Sequence, residues 1–135
     1  MTQPDDFRRR RVAAFLQIAD EELRAAETLA IALPRQTAFF QQQCVEKLVR
    51  AVLEAEAVPA GPTHNLRTLI DLLPVDHALR ARFLEFEDLS ASATRYRYPS
   101  GSGDAPRVSG EQVKKRQSEI TRLVREITEH LKPWS

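Results

Sequence analysis

Residues 35–57 read RQTAFFQQQCVEKLVRAVLEAEA, and the fold turns on how this stretch is read. Its apolar positions include Phe39, Phe40, Cys44, Val45, Leu48, Val49, Val52 and Leu53. They recur with the period of a helix, not with the alternation of a strand. Projected at about 100° per residue, they cover well over half the circumference. The polar arc is narrow: Gln43, Glu46, Lys47, Arg50 and Glu54. An ordinary surface helix shows a narrower apolar stripe. This helix is therefore central in a bundle, or it packs against another subunit as well. Gln41 falls within the apolar arc and Gln42 at its edge. Once buried, each amide needs a partner, because an unpaired one costs about 1–3 kcal/mol. Glu46 and Arg50 have the i,i+4 spacing of an ion pair.

Upstream, Pro4-Asp5-Asp6 opens a first helix, with two acids at the positive end of its dipole. Its stripe runs through Val12, Leu16, Ala19, Leu23, Ala26, Ala30 and Leu33 and stops at Pro34. The small alanines allow a neighbouring helix to approach closely. The basic run Arg8 to Arg11 reads either as a nucleic-acid contact or as a solvated first turn.

Downstream, Pro59-Ala60-Gly61-Pro62 is a turn. Thr63 is expected to cap a short helix carrying Leu66, Leu69, Ile70 and Leu73, which Pro74 stops. Asp76 is expected to cap a fourth helix, with Leu79, Phe83, Phe86, Leu89 and Ala93 inward, ending near Tyr96. Residues 99–108 form a loop rich in Gly, Ser and Pro, long enough to be mobile or functional. Ser109 and Gln112 make a capping box for a last helix with Val113, Ile120, Leu123, Val124, Ile127 and Leu131 inward. The predicted architecture is all-α: a single domain, residues 1–135 with about 8–131 structured, forming an up-and-down antiparallel bundle of about five helices.

Composition narrows the function. The chain has 135 residues and a net charge of +1, with 20 basic against 19 acidic side chains. That balance argues against a dedicated polyanion binder and leaves room only for a local basic site. The single cysteine, Cys44, sits in an apolar run and is expected in the core. His64, His77 and His130 lie on three separate segments without metal-ligand spacing, so neither a metal nor a cofactor is expected. No secretory signal is visible and no apolar run approaches the roughly 20 residues of a membrane span, so the expected location is cytoplasmic.

Three places could carry chemistry. Arg95-Tyr96-Arg97-Tyr98-Pro99, with Arg107 across the loop, combines guanidinium forks for phosphate with rings that stack on bases. The same residues could equally plug the end of the bundle. His64 follows the expected Thr63 cap, where it either faces an anion or completes a turn by hydrogen bonding. Arg125 and His130 are spaced loosely enough for a phosphate clamp and a general acid–base pair in RNA cleavage, or simply for a solvated helix end.

Taken in order, Ala26-Glu27, Gln43-Cys44-Val45-Glu46-Lys47, Thr63-His64-Asn65-Leu66 and Arg97-Tyr98-Pro99 resemble the HEPN domain, named for nucleotide binding in higher eukaryotes and prokaryotes, in its Arg-Tyr-Pro-containing prokaryotic type. The resemblance covers about residues 8–131, with Asn65 in place of the usual acid. It implies an antiparallel bundle that forms a homodimer. It also implies partnership with a minimal nucleotidyltransferase, often as a toxin–antitoxin pair, and a contact to nucleotide or RNA. On that reading the binding residues are Arg97, Tyr98, Arg95, Gln43, Glu46, Lys47 and His64. HEPN ribonucleases, which use no metal, place Arg and His with four to six residues between them near the start of the last helix. Arg125 and His130 meet the spacing at the opposite end, so the expectation is a non-catalytic member. The alternatives are a ribonuclease toxin and a dimerising scaffold without a ligand.

Overall fold

The computed structural model describes residues 4–134. Its helices are α1 (Pro4–Leu29), α2 (Pro34–Ala55), α3 (Leu66–Ile70), α4 (Arg80–Leu84), α5 (Ala91–Thr94) and α6 (Gly110–His130), with 3-10 turns at Glu87–Ser90, Arg95–Arg97 and Lys132–Trp134. Among the described residues there is no strand, and no helix is long and apolar enough to cross a membrane.

α1 and α2 form a close antiparallel hairpin. Ala19 and Ala26 are fully buried along the small-residue stripe of α1, and the Thr37 hydroxyl donates to the Ala26 carbonyl at 3.1 Å. α6 completes the frame. Gln41 Nε2 donates to Val113 O at 2.8 Å and to Gln117 Oε1 at 3.0 Å, while Gln117 Nε2 donates to Leu23 O at 3.0 Å. These bonds satisfy the Gln41 amide donor and bring the first half of α2 beside the first half of α6. At the other end, Arg11 pairs with Glu54 at 2.8 Å and Arg9 donates to Pro133 O at 2.6 Å. α2 and α6 therefore run the same way and α1 runs against both. Residues 79–97 form the remaining upward column.

α2 is the centre. Leu48, Val49, Val52 and Leu53 are at most 1% exposed, and Cys44 is fully buried beside them. Burial pushes the Cys44 thiol well above its ordinary range. From Cys44 on, the apolar arc of α2 is thus covered within one chain, by α1, α3, α5 and α6, while Phe39 and Phe40 at its start are half-buried.

Four local expectations are corrected. α1 ends at Leu29, not at Leu33: residues 30–33 make the turn, and Leu33 O accepts from Thr37 N at 3.0 Å to begin α2, with Pro34 as its first residue. α2 ends at Ala55 rather than Ala57. Ala57 takes φ 58°, and Val58 N reaches Leu53 O at 2.9 Å while Ala57 N reaches Glu54 O at 3.1 Å, a Schellman closure with alanine where glycine is usual. Asn65, not Thr63, caps α3: its side chain accepts from Thr68 N at 3.0 Å, while Thr63 Oγ1 accepts from Asn65 N at 3.1 Å. Asp76 caps nothing; α4 begins after Leu79 without a side-chain cap.

The expected fourth helix is a chain of short pieces. Phe83, Phe86, Leu89 and Ser92 are each at most 6% exposed and lie three residues apart. In an α-helix each such step swings the side chain by about 60°, so the set would turn through half a circle. A 3-10 geometry keeps residues three apart in line. The backbone accordingly makes i→i+3 bonds, Phe86 N to Phe83 O at 2.9 Å and Leu89 N to Phe86 O at 3.0 Å. Side chains then tie the column to α6: Arg82 donates to both Glu126 oxygens at 2.9 and 3.1 Å, which holds the Glu126 carboxyl below its usual value.

Candidate functional site

The polar arc of α2 carries a connected network. Glu46 is 2% exposed. One of its oxygens meets His64 Nδ1 at 2.9 Å and the other accepts from Arg50 Nε at 3.2 Å. Arg50 also donates to Gly61 O at 2.9 Å and Thr63 O at 2.7 Å, and Gln42 Nε2 donates to His64 O at 2.9 Å. The loop before α3 is thereby clamped onto α2. Gln43 continues the chain, donating to Gln42 Oε1 at 2.7 Å and accepting from Lys47 Nζ at 3.1 Å. Lys47 reaches Glu22 of α1 at 3.2 Å. Gln43, Glu46 and Lys47, expected as one polar face of α2, lie in this network together with His64, a separate candidate. Glu46 lies behind that face as its support, whereas His64 is largely exposed. His64 comes before the Asn65 cap, and the anion its ring faces is the chain's own Glu46 carboxylate.

Glu22 ends this network with a defect. Its Oε2 is buried without a hydrogen-bond partner among the described residues, and burial raises the carboxyl above its ordinary value despite Lys47. The folded chain therefore keeps this proton to higher pH than the unfolded chain does. Stability from this group falls as pH rises from about 4.5 through the raised value, and is level beyond. Urea unfolding of wild type and Glu22→Gln between pH 4 and 7.5 should show the wild type losing ground to the variant as pH rises. A difference that moves the other way would mean that attraction to Lys47 outweighs burial.

The stretch Arg95–Pro99 lies at the end of the bundle where α2 and α6 begin. The Arg97 guanidinium lies 4.7 Å from the centre of the Phe39 ring on α2, one turn before Gln43. Stacking of this kind holds the cation by its face and leaves its N–H edges available. Arg95, Arg97 and Tyr98 are exposed, Tyr98 by 63%. Arg35, Arg107, Lys114 and Lys115 belong to the same end, and none of these six cations forms an ion pair among the described residues. Most basic side chains elsewhere are committed: Arg67 and Arg80 to Asp71, Arg82 to Glu126 and Arg116 to Asp88.

Beneath that edge is a cleft of about 430 Å³ between the 85–96 segment, Gln41 of α2 and the start of α6. Tyr96, Ser92, Gln112, Lys115 and Arg116 are among its walls. The cleft is not legible in the sequence, because its walls come from segments that only the tertiary fold assembles.

Arg125 and His130 stand apart from all of this. They lie in the last turns of α6, at the opposite end of the bundle, and five residues place them about 140° apart round the helix. His130 lies beside His77 instead, ring centres 6.2 Å apart, and His77 Nε2 meets Glu56 at 2.6 Å. The Arg8–Arg11 run is largely tied down at that end too: Arg8 to Asp5, Arg9 to Pro133 O and Arg11 to Glu54. Among the described residues no cluster of His, Cys, Asp or Glu could hold a metal.

Residues 12–132 match the model of a family described as the HEPN domain. No curated protein and no solved structure matches the chain.

Proposed function

Because the chain belongs to the HEPN domain family, we propose that it is a non-catalytic member that contacts nucleotide or RNA through the end of the bundle carrying Arg97. The observation behind this reading is the gathering of six uncommitted cations at that end in a chain of net charge +1. Arg97 is the central contact, stacked on Phe39 and open at its edges. Arg95 and Tyr98 flank it, and the polar face of Gln43, Lys47 and His64 extends it along α2. The ribonuclease alternative loses ground, since Arg125 and His130 lie in the last turns of α6, away from the helix start where HEPN ribonucleases carry the pair.

Assembly is part of the proposal. A homodimer uses a surface other than the part of the α2 arc from Cys44 to Leu53, which is buried within one chain. Phe7 and Ile18 on α1, with Ile31 and Leu33 just after it, are the exposed apolar candidates. A minimal nucleotidyltransferase, in a pair of the toxin–antitoxin type, is the partner suggested by the family resemblance.

The test is binding of a short single-stranded RNA, followed by fluorescence anisotropy over a range of salt concentrations. Arg97→Ala should weaken binding several-fold and reduce the slope of log affinity against log salt by about one. Arg10→Ala, at the far end, should leave both unchanged, and circular dichroism should show the same helix content throughout. Equal binding by wild type and Arg97→Ala, or no binding by either, would remove the proposal.

A further inference from the structure

We propose that the tip of the bundle where α1 turns into α2, beside the Arg95–Tyr98 segment, rests on an anionic lipid surface. The turn at residues 30–33 reads Ala-Ile-Ala-Leu. Ile31 is 87% exposed and Leu33 45%. The turn is short and pinned: Leu33 N donates to Leu29 O at 2.8 Å, and Leu33 O accepts from Thr37 N at 3.0 Å. Two aliphatic side chains are thus held towards water by the backbone that closes one helix and opens the next. Apolar area removed from water stabilises in proportion to its size, so this turn gains from a surface that covers it.

The surroundings supply charge. Arg35 and Phe39 lie one turn apart on α2, and Arg97 stacks on Phe39 at 4.7 Å. The helix that the apolar turn opens therefore carries one of these cations and receives another. Arg95 and Tyr98 flank Arg97, both exposed. Arg107, Lys114 and Lys115 add to the same end, where the acids without an ion pair are Glu27, Asp104 and Glu111 among the described residues. Glu85, Asp88 and Glu119 line the cleft below and face Arg82 or Arg116. Protruding aliphatic side chains with Lys and Arg around them and a tyrosine alongside suit the headgroup layer of an anionic membrane, which takes apolar groups inward and meets cations with phosphate.

Shape and charge favour this occupant over others. A peptide binds a groove or a sheet edge, whereas Ile31 stands out from a turn. An RNA strand would engage the arginines through its phosphates and leave Ile31 in water. A second copy joined here by a two-fold axis would set Arg35, Arg95 and Arg97 towards their own equivalents, which like charges oppose. Phe7 and Ile18 remain for a homodimer. No helix among the described residues can cross a membrane, so the contact is peripheral.

Co-sedimentation with vesicles tests this. The protein should bind vesicles of equal parts phosphatidylcholine and phosphatidylglycerol about tenfold or more tightly than phosphatidylcholine alone, and rising salt should weaken the difference. The double variant Ile31→Ser, Leu33→Ser should bind the mixed vesicles about tenfold or more weakly. Leu33 stands at the N-cap of α2, where serine is favoured, so the helix should be kept. Val75→Ser, at a side chain 89% exposed near the other end, should stay within about twofold of wild type. Circular dichroism checks each fold; if the double variant does not fold, Ile31→Ser alone should still cost about threefold. Binding of single-stranded RNA, measured in parallel, should be the same for the double variant and wild type. Absence of vesicle binding, or equal binding by wild type and the serine variants, overturns the lipid contact and leaves the RNA contact of Arg97 standing. A serine variant that sediments as a smaller species than wild type also overturns it, since a second copy would then cover the turn.

Discussion

Phe86→Ala is expected to lower the free energy of unfolding by about 3–5 kcal/mol, the usual cost of truncating a fully buried phenylalanine. Phe86 is 0% exposed, and the Arg82 and Arg116 guanidinium groups lie 5.2 and 5.1 Å from its ring centre. Both cations are themselves anchored, Arg82 to Glu126 and Arg116 to Asp88. The ring is therefore the floor on which the ties between residues 79–97 and α6 rest. That column has only short helices, so its own backbone ladder can do little to hold it in place. Urea unfolding followed by circular dichroism measures the loss. A cost under about 1 kcal/mol would mean that the column is not packed through this side chain.

Glu46→Ala should cost about 3 kcal/mol, the low end for breaking a buried ion pair. The Glu46 side chain is 3% exposed and that of Arg50 14%, and removing the carboxylate leaves Arg50 enclosed without a counter-charge. Partial access to water keeps the loss from being larger, as does the 66% exposure of His64. Arg50 and His64 would then hold the 61–65 loop less firmly, so the start of α3 should exchange its amide protons faster. Glu46→Gln keeps the size and one acceptor and should cost less, about 1.5–3 kcal/mol. Folded Glu46→Ala should still bind single-stranded RNA within about twofold of wild type. Weakened binding at unchanged stability would instead make Glu46 a contact residue.

These two positions differ in how far the sequence foretold them. The Glu46–Arg50 pair follows from i,i+4 spacing, and the buried amide of Gln41 follows from its place in an apolar arc. Both are local facts about one helix. The Ser109 cap was legible for the same reason: Ser109 Oγ accepts from Gln112 N at 3.3 Å. Phe86 was legible as a core residue but not as part of a broken column. The repeated spacing of three through Phe83, Phe86, Leu89 and Ser92 was visible in the chain, and it is the pattern of a 3-10 line rather than of an α-helix. Apolar periodicity over the long window points to one α-helix, whereas the local step of three points to 3-10 turns. Thr63 and Asn65 are both good caps; which one serves was settled by where the clamp on His64 and Thr63 allows the helix to begin.

The sequence by itself determined the class and centre of this protein. Apolar periodicity makes helices, and an arc as wide as that of α2 has to be enclosed. Four short motifs in order were enough to point to the family. The tertiary structure decided what covers α2, with α1, α3, α5 and α6 doing so within a single chain. It decided that Arg97 lies on Phe39, that Arg125 and His130 belong to the far end, and that Tyr96 belongs to a cleft. The physical reason is that helical periodicity is a property of neighbours along the chain, whereas a cleft or a stacked cation needs side chains more than fifty residues apart in sequence. Only the packing of one helix against another brings those together.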